Sequence, residues 1–287
     1  MHKAQSAMEY LITYGWAILV VSVVLASLFT LGIFSTQDFA PKASSGSCQV
    51  VRTSGISNLA GACTNMVPKL VGYFKRSSVS VGANVQSTLS NLNTTAGGYN
   101  TVTFWMQWVS PSATSAMLLD FTGYDIYYSN YFGFNAYNGD DYGICSPTFV
   151  SGRWYFISAL FYNGVYTGKS AIYINGVNQT MAQCAGAARS ATASPTFAIG
   201  SEANSVNNYF FYGDIANMQI YNRSLSQGAI QALYKEGIGG APIDLQDLVA
   251  WYQLNGDAND YSGNGYQGIP TNVIWNANWQ SGYSQPS

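Results

Sequence analysis

Residues 212–234 are YGDIANMQIYNRSLSQGAIQALY, a strand pattern followed directly by a helix pattern. In the first half, Ala216, Met218 and Ile220 alternate with polar residues, which is the period-two pattern of a half-buried strand. In the second half, Ser226 precedes Ile230 and Leu233, whose spacing suits one face of a helix, and serine is a favoured helix cap. The stretch therefore predicts a strand and then a short amphipathic helix.

Strand patterns also fill the chain upstream of this stretch. Residues 101–109, TVTFWMQWV, alternate apolar and polar side chains, and residues 154–162, WYFISALFY, are apolar on both faces as in a central strand. Between two further apolar runs lie Asn175 and Gly176, a hairpin signal because both residue types tolerate a positive φ. These patterns predict an antiparallel β-sandwich.

The order of these segments resembles the laminin-G-like, concanavalin-type jelly roll. The resemblance runs from Met66 to Tyr234 through TVTFWMQWV, GRWYFISALFY, AIYINGV, FAIGS and the strand-helix stretch above. Where the family usually has an acidic residue at the start of its closing helix, this chain has Gly228 and Ala229. The resemblance implies a mainly β fold.

A further segment departs from the order of that family. Residues 248–268, LVAWYQLNGDANDYSGNGYQG, resemble the opening strand and turn of the same domain but follow its closing helix. The segment is the start of a second repeat, a circularly permuted strand that pairs within the chain, or a strand donated to another subunit. We favour permutation, because a lone repeat would expose an apolar edge and permutation is tolerated where termini lie close together.

The N-terminal region is uncharged from Leu11 to Phe34. At 1.5 Å per residue this run spans roughly 36 Å as a helix, enough to cross the hydrocarbon core of a bilayer. It is also longer than the apolar region of an ordinary cleaved signal peptide. The sequence predicts a membrane-spanning helix with the long C-terminal part outside the cell.

Residues 3–10, KAQSAMEY, resemble the class III signal of archaeal type IV pilin-like proteins. The resemblance implies that a prepilin peptidase cuts between Ala4 and Gln5 and leaves the apolar helix attached. It also implies that Glu9 neutralises the new amine of Gln5 on an identical neighbouring subunit in a filament. The alternative is a Glu9 that lies in the headgroup layer of a monomeric anchor.

The domain organisation expected from these patterns has five parts. They are a leader at 1–4, a pilin-like helix at 5–36, a linker at 37–47, a laminin-G-like sandwich at 48–240 and a C-terminal segment at 241–287.

Four cysteines without metal-type spacing indicate disulfides. Antiparallel pairing around the loop at 163–169 would bring Cys145 and Cys184 together, which leaves Cys48 with Cys63. Disulfides agree with an extracellular location, whereas free thiols in the cytosol would require the anchor interpretation to fail.

Three Asn-X-Ser/Thr triplets lie in the exported part and are candidate glycosylation sites, at Asn93, Asn178 and Asn222. Only 8% of the residues are charged and the net charge is −2, so we expect no nucleic acid partner, since such partners need basic surfaces.

Tyrosine-rich loops between residues 124 and 142 offer aromatic faces and acidic groups to a glycan or another surface ligand. The alternatives are subunit contacts or simple solvation. The candidate ligand-binding residues are Tyr124, Tyr127, Tyr128, Tyr131, Tyr137, Asp140, Asp141 and Tyr142.

Calcium is the one cofactor considered, because the jelly-roll family often binds it through carboxylate and carbonyl oxygens. The turn that contains Asp257, Asn259 and Asp260 offers such oxygens. Asx-turn chemistry alone is the alternative explanation of these residues.

Enzymatic activity is not expected. The only histidine, His2, precedes the expected cut, and no strand carries carboxylates at alternating positions for glycoside hydrolysis. We therefore expect an adhesive surface protein in a pilin-like filament. The alternatives are a monomeric, membrane-anchored carbohydrate-binding protein and, third, a carbohydrate-active enzyme.

Overall fold

The computed structural model describes residues 14–27, 43–44, 46–78, 81–109, 115–136, 140–203 and 209–286. The chain divides into two compact units, Met1–Pro41 and Lys42–Ser287.

The described part of the first unit is one helix, α1, over residues 14–27. The hydroxyls of Ser22 and Ser27 donate to main-chain carbonyls four residues earlier, at Ile18 and Val23. Within the described ranges, no helix combines the length and the apolar character that crossing a membrane requires. The remainder of the predicted 5–36 helix, together with Ala4, Gln5 and Glu9, lies outside the described residues.

The second unit is built from strands and a helix, α2, at Gln227–Glu236. The strands are β1 Ala43–Ser44, β2 Cys48–Thr53, β3 Ile56–Gly61, β4 Met66–Val67, β5 Val71–Phe74, β6 Arg76–Ser78, β7 Val81–Gly82, β8 Asn84–Thr88, β9 Tyr99–Trp108, β10 Ala116–Asp120, β11 Asp125–Tyr128, β12 Tyr131–Asn135, β13 Asp141–Cys145, β14 Trp154–Tyr162, β15 Gly164–Val165, β16 Ala171–Ile174, β17 Val177–Asn178, β18 Ala182–Ala185, β19 Ser190–Ala191, β20 Thr196–Ile199, β21 Gly213–Tyr221, β22 Leu248–Tyr252, β23 Ile269–Thr271 and β24 Ile274–Asn276.

Two large antiparallel sheets form the body, and the remaining short strands pair in twos. Sheet A has the order β18-β13-β12-β11-β10-β20-β8-β23. Sheet B has the order β17-β16-β14-β9-β21-β5-β24, with β22 also paired to β21. The predicted antiparallel β-sandwich is confirmed. So is the hairpin between β16 and β17, where Asn175 and Gly176 have φ values of 52° and 76°.

The main core lies between the two sheets. Apolar side chains that alternate along β9 and β14 face those that alternate along β11 and β12, and they form one buried cluster. Aromatic rings join the sheets directly, with centroids 5.0 Å apart for Phe134 and Phe161 and 4.4 Å apart for Trp108 and Tyr128. The predicted period-two pattern of residues 101–109 is confirmed by this packing.

A second apolar layer covers the other face of sheet B. Helix α2 lies over it with Ile230 and Leu233 buried, as predicted, and Tyr234 stacks on Trp105 at 5.8 Å between ring centroids. The hydroxyl of Ser226 accepts from the main-chain N–H of Ala229, so the predicted cap is confirmed. Sheet B is therefore buried on both faces, which explains why its strand β14 is apolar on both faces.

One prediction about β21 is wrong. Met218 and Ile220 face the core between the sheets, but Ala216 belongs to the opposite apolar layer. The reason is a register shift between Ala216 and Gln219, where Asn217 adopts a positive φ of 49°. The extra residue of such a bulge reverses the side-chain alternation on either side of it.

The C-terminal segment returns to the sheets of its own chain. Strand β22 pairs with β21, β23 pairs with β8, and β24 pairs with β5. Strands β5 and β22 lie along the same edge of β21, one after the other, because β21 pairs with β9 along its other edge. The segment thus pairs within the chain, as the favoured permutation interpretation requires.

Candidate functional site

A tight hairpin between β10 and β11 brings two acidic residues together. Its two turn residues, Thr122 and Gly123, have φ values of 58° and 83°, which suits the two-residue turn of an antiparallel hairpin. Consequently Asp120 and Asp125 are directly opposite each other in the pairing register. Sequence reasoning missed this pair, and Thr-Gly is a weaker hairpin signal than Asn-Gly.

The acidic pair continues across sheet A. Asn135 of β12 lies opposite Asp125, and its Nδ2 donates to Oδ1 of Asp141 on β13 at 3.1 Å. We call Asp120, Asp125, Asn135 and Asp141 the carboxylate row. Because the neighbouring Ile126 points into the core, alternation places this row on the outer face of sheet A.

The carboxylates of the row differ in their hydrogen bonding. Both oxygens of Asp120 accept main-chain N–H groups, from Gly123 at 2.7 Å and from Ala203 at 2.8 Å. In contrast, Oδ1 of Asp125 is buried and has no hydrogen-bond partner among the residues that the structure describes, and Asp125 as a whole is only 3% exposed. An unpaired buried acceptor is costly, so it calls for an explanation.

The row is also electrostatically strained. Burial raises the pKa of Asp125 well above its ordinary value, and the carboxylates of Asp120 and Glu202 raise it further. Burial likewise raises the pKa of Asp120, although its main-chain donors offset part of this effect. Two ionised carboxylates directly opposite each other would destabilise the sheet, so the free protein favours the protonated form of Asp125.

Three tyrosines border the row on the same face. The ring of Tyr127 is half-buried and lies 5.7 Å from that of Tyr131 and 5.4 Å from that of Tyr209. The hydroxyl of Tyr131 accepts from Asn135 Nδ2 at 3.1 Å, which ties the tyrosine group to the row. Tyr127 and Tyr209 thus offer partly exposed aromatic surface beside acidic acceptors.

Several predicted ligand residues are not available to a ligand. Tyr124, Tyr131, Asp140 and Tyr142 are buried, so their assignment to exposed binding loops is wrong. The hydroxyl of Tyr124 hydrogen-bonds Ser170 inside the core.

The carboxylate of Asp140 is used internally. It accepts the main-chain N–H of Ala136 at 2.9 Å and the hydroxyl of Tyr166. Tyr128 packs on Trp108 and Phe149. Of the predicted set, Asp141 and Tyr127 belong to the candidate site, while Tyr137 lies outside the described residues.

The turn proposed for calcium is held together by its own hydrogen bonds. The two oxygens of Asp260 accept from Trp251 N, Tyr266 N and both the N–H and the hydroxyl of Ser262. Asp257 accepts from Asn259 N and from the Tyr261 hydroxyl. This is the Asx-turn chemistry considered as the alternative, and it leaves the oxygens of Asp260 occupied by the chain.

Both predicted disulfides are confirmed. Cys48 is bonded to Cys63 across the β2–β3 hairpin, and Cys145 is bonded to Cys184 at the β13–β18 edge of sheet A. Disulfides of this kind persist in oxidising surroundings, which agrees with an exported protein.

The three glycosylation candidates differ in exposure. Asn178 is exposed on β17, whereas Asn93 and Asn222 are half-buried. The amide groups of the latter two are engaged, since Asn93 Nδ2 donates to the carbonyl of Asn222 and Asn222 Nδ2 donates to that of Asn91. A glycan would meet the least obstruction at Asn178, and its presence stays a prediction.

Comparison with known proteins shows which family shares this architecture. The family model Laminin_G_3, described as Concanavalin A-like lectin/glucanases superfamily, matches residues 81–231. A candidate carbohydrate-binding protein from Bacteroides ovatus ATCC 8483 has a TM-score of 0.54 and 15% identity over 79% of this chain, and the chain spans 65% of that protein's length. A heptameric SAP-like pentraxin from Limulus polyphemus has a TM-score of 0.47 and 13% identity, covering 72% of this chain and 94% of that one.

A search of curated proteins finds no match. The likeness to the Bacteroides ovatus protein concerns the fold alone, because the identity is low. The family match, in contrast, covers more than half of the chain and includes β8 to the start of α2. The expected concanavalin-type jelly roll is thereby confirmed, and the chain belongs to the Concanavalin A-like lectin/glucanases superfamily.

Proposed function

We propose that this protein is a carbohydrate-binding protein of the cell surface, and that saccharide binds on the outer face of sheet A beside the carboxylate row. The observation that carries the proposal is the carboxylate row beside Tyr127 and Tyr209, in which Oδ1 of Asp125 has no partner in the described part of the chain. The superfamily includes lectins, and the Bacteroides ovatus protein of the same fold is a candidate carbohydrate-binding protein. Two disulfides support a location outside the cell.

The chemistry of this face suits a sugar. Saccharide hydroxyls are hydrogen-bond donors, and the half-buried carboxylates of Asp141 and Glu202 are acceptors. The apolar faces of sugar rings pack on aromatic rings, which the half-buried Tyr127 and Tyr209 supply. Polar groups of this kind beside an aromatic surface both bind a ligand and fix its orientation in the site.

Binding without hydrolysis is the activity that we propose. Glycosidases need one carboxyl group to protonate the leaving group and a second to attack or to activate water. Asp120 and Asp125 are neighbours, but both oxygens of Asp120 already accept main-chain N–H groups. Because both oxygens of Asp120 are occupied by these hydrogen bonds, Asp120 is better suited to hold the neighbouring main chain in position than to act as an acid or a base.

A tyrosine substitution tests the proposed binding face. In a screen of the full-length protein against immobilised oligosaccharides, we expect Tyr127→Ala to bind the best glycan about tenfold more weakly, because it loses the stacking surface. Tyr99→Ala is the matched control, since Tyr99 is also half-buried and contacts another tyrosine, Tyr162, but lies on sheet B. Equal affinity of the Tyr127 variant and the wild type would contradict the proposed face.

We further propose that the N-terminal segment retains the protein in the membrane after removal of residues 1–4. Support comes from the KAQSAMEY stretch, from the uncharged run that follows, and from the helix observed at 14–27. A monomeric anchor suffices for a binding protein. Filament assembly through Gln5 and Glu9 is the second candidate, and the same signal stretch supports it.

Mass spectrometry of the protein purified from membranes tests the anchor. The expected mature N-terminus is Gln5, because the proposed peptidase cuts ahead of the helix and leaves it attached. The mature N-terminus of a Gln5→Ala variant, altered at the cleavage junction, is compared with that of Gln37→Ala, a control altered beyond the uncharged run. A mature chain that begins after Phe34 would show instead that the segment is a removable signal peptide.

A further inference from the structure

The carboxylate row concentrates acidic side chains in a protein that has few charged residues overall. The charges that act on Asp125 are those of four carboxylates, Asp120, Glu202, Asp140 and Asp141. All of them raise its pKa, so each disfavours its ionised form. Since no basic side chain of the described residues is among these charges, a cationic ligand would complement the row.

The described residues of the row leave few free hydrogen-bond donors for a ligand. Asn135 uses its Nδ2 for Tyr131 and Asp141, and Oδ1 of Asp125 has no partner within the described ranges. An ammonium group supplies three donors and one positive charge at once. A neutral hydroxyl supplies only one donor and leaves the charge uncompensated.

The shape of the row favours an extended ligand over a single metal ion. Its members come from four successive strands about 4.8 Å apart, so the row extends for roughly 14 Å. Calcium needs six to eight oxygens that converge on one point. In the parts of the chain that the structure describes, no group of three acidic, histidine or cysteine side chains is arranged to hold a metal.

Resting on the proposed carbohydrate-binding function, we propose that the carboxylate row recognises an oligosaccharide that carries free, protonated amino groups, such as a polymer of deacetylated hexosamine. Successive amino sugars place ammonium groups along a line, as the row places carboxylates. The half-buried side chains of Asn135, Asp141 and Glu202 form the accessible side of the site. Asp125 lies between Asp120 and Asn135 in the pairing register, and an ammonium group that enters the row pairs with its buried Oδ1.

Binding of an ammonium group should also change the protonation of the row. An opposite charge favours the ionised form of a carboxyl group, so the ligand lowers the raised pKa of Asp125. A proton held by the free protein is then released on binding. Calorimetry in buffers of different ionisation enthalpy measures this release directly.

A pair of ligands that differ only in charge provides the test. We expect full-length protein to bind the β-1,4-linked trimer of glucosamine at least about tenfold more tightly than the N-acetylated trimer at pH 5.5, because a charged hydrogen bond replaces a neutral one. Proton release should accompany only the first ligand. Asp125→Asn and, as a half-exposed second variant, Asp141→Asn should each reduce the preference to less than about threefold.

Asp214→Asn is the matched control, because it makes the same change at a buried aspartate of sheet B and should keep the preference. Equal binding of the two trimers, or a preference that survives in both row variants, overturns this inference and leaves the proposed function intact. Tight binding of calcium without any saccharide by the wild type, together with loss of that binding in Asp125→Asn, also overturns the inference and indicates a metal site instead. Failure to bind any saccharide overturns the proposed function, and the inference with it.

Discussion

Replacement of Trp251 by alanine is expected to lower the free energy of unfolding of the sandwich by about 4 kcal/mol. Trp251 is fully buried on β22, in the apolar layer on the far side of sheet B. Its Nε1 donates to Asn217 Oδ1 at 2.7 Å, so the substitution leaves a cavity and removes the shorter of two hydrogen bonds to this acceptor, which Gln219 Nε2 reaches at 3.4 Å. Loss of a buried partner adds to the cost of the cavity.

Urea denaturation followed by circular dichroism measures this effect. Val177→Ala is the control, because Val177 is 60% exposed at a sheet edge and should change stability by less than about 0.5 kcal/mol. A loss below about 1 kcal/mol for Trp251→Ala would mean that β22 contributes little to the fold. The C-terminal segment would then be an appendage and not an integral strand.

The second large effect concerns pH and Asp214. This residue of β21 is only 2% exposed, and burial raises its pKa to about 6, although a hydrogen bond from Asn276 lowers it in part. In the unfolded chain an aspartate has a pKa of about 3.9. As pH rises between these values, the unfolded state releases its proton first, so the folded state loses stability across that window.

Asp214→Asn is therefore expected to stabilise the protein by roughly 3 kcal/mol above pH 7 and to have little effect near pH 3.5. Asparagine still accepts the hydrogen bond from Asn276 but has no charge to bury. Asn276→Ala is the companion variant, since loss of this donor should move the upper end of the window to higher pH. Denaturation at a series of pH values checks both variants, and an Asp214→Asn effect that is independent of pH would contradict the assignment.

Much of the fold was predictable because local patterns and their order agree. The alternation in residues 101–109, the Asn175-Gly176 hairpin and the Ser226 cap each depend on neighbouring residues only, and each is confirmed. The face of Ala216 was not predictable, because a bulge at Asn217 depends on packing and hydrogen bonds with distant parts of the chain. One such contact is the bond from Asn217 Nδ2 to the carbonyl of Gly240.

The candidate site was harder to predict for a related reason. Its four members come from four strands, and only the pairing register places them in one row. Asp141 was among the predicted residues because tyrosines and acidic groups cluster around it in the sequence. Asp125 was not predicted as a site residue, because nothing in its neighbours along the chain indicates that Asp120 and Asn135 lie on either side of it.

The disulfides have a mechanical consequence for the second unit, Lys42–Ser287, here called the head, when it is pulled between its two ends. Cys48 and Cys63 are 15 residues apart and Cys145 and Cys184 are 39 apart, so tension passes through each sulfur bridge and bypasses the enclosed loop. Roughly 50 Å and 130 Å of extended chain are thereby withheld from stretching. Under load, the oxidised head would lengthen by about 180 Å less than the same head after reduction.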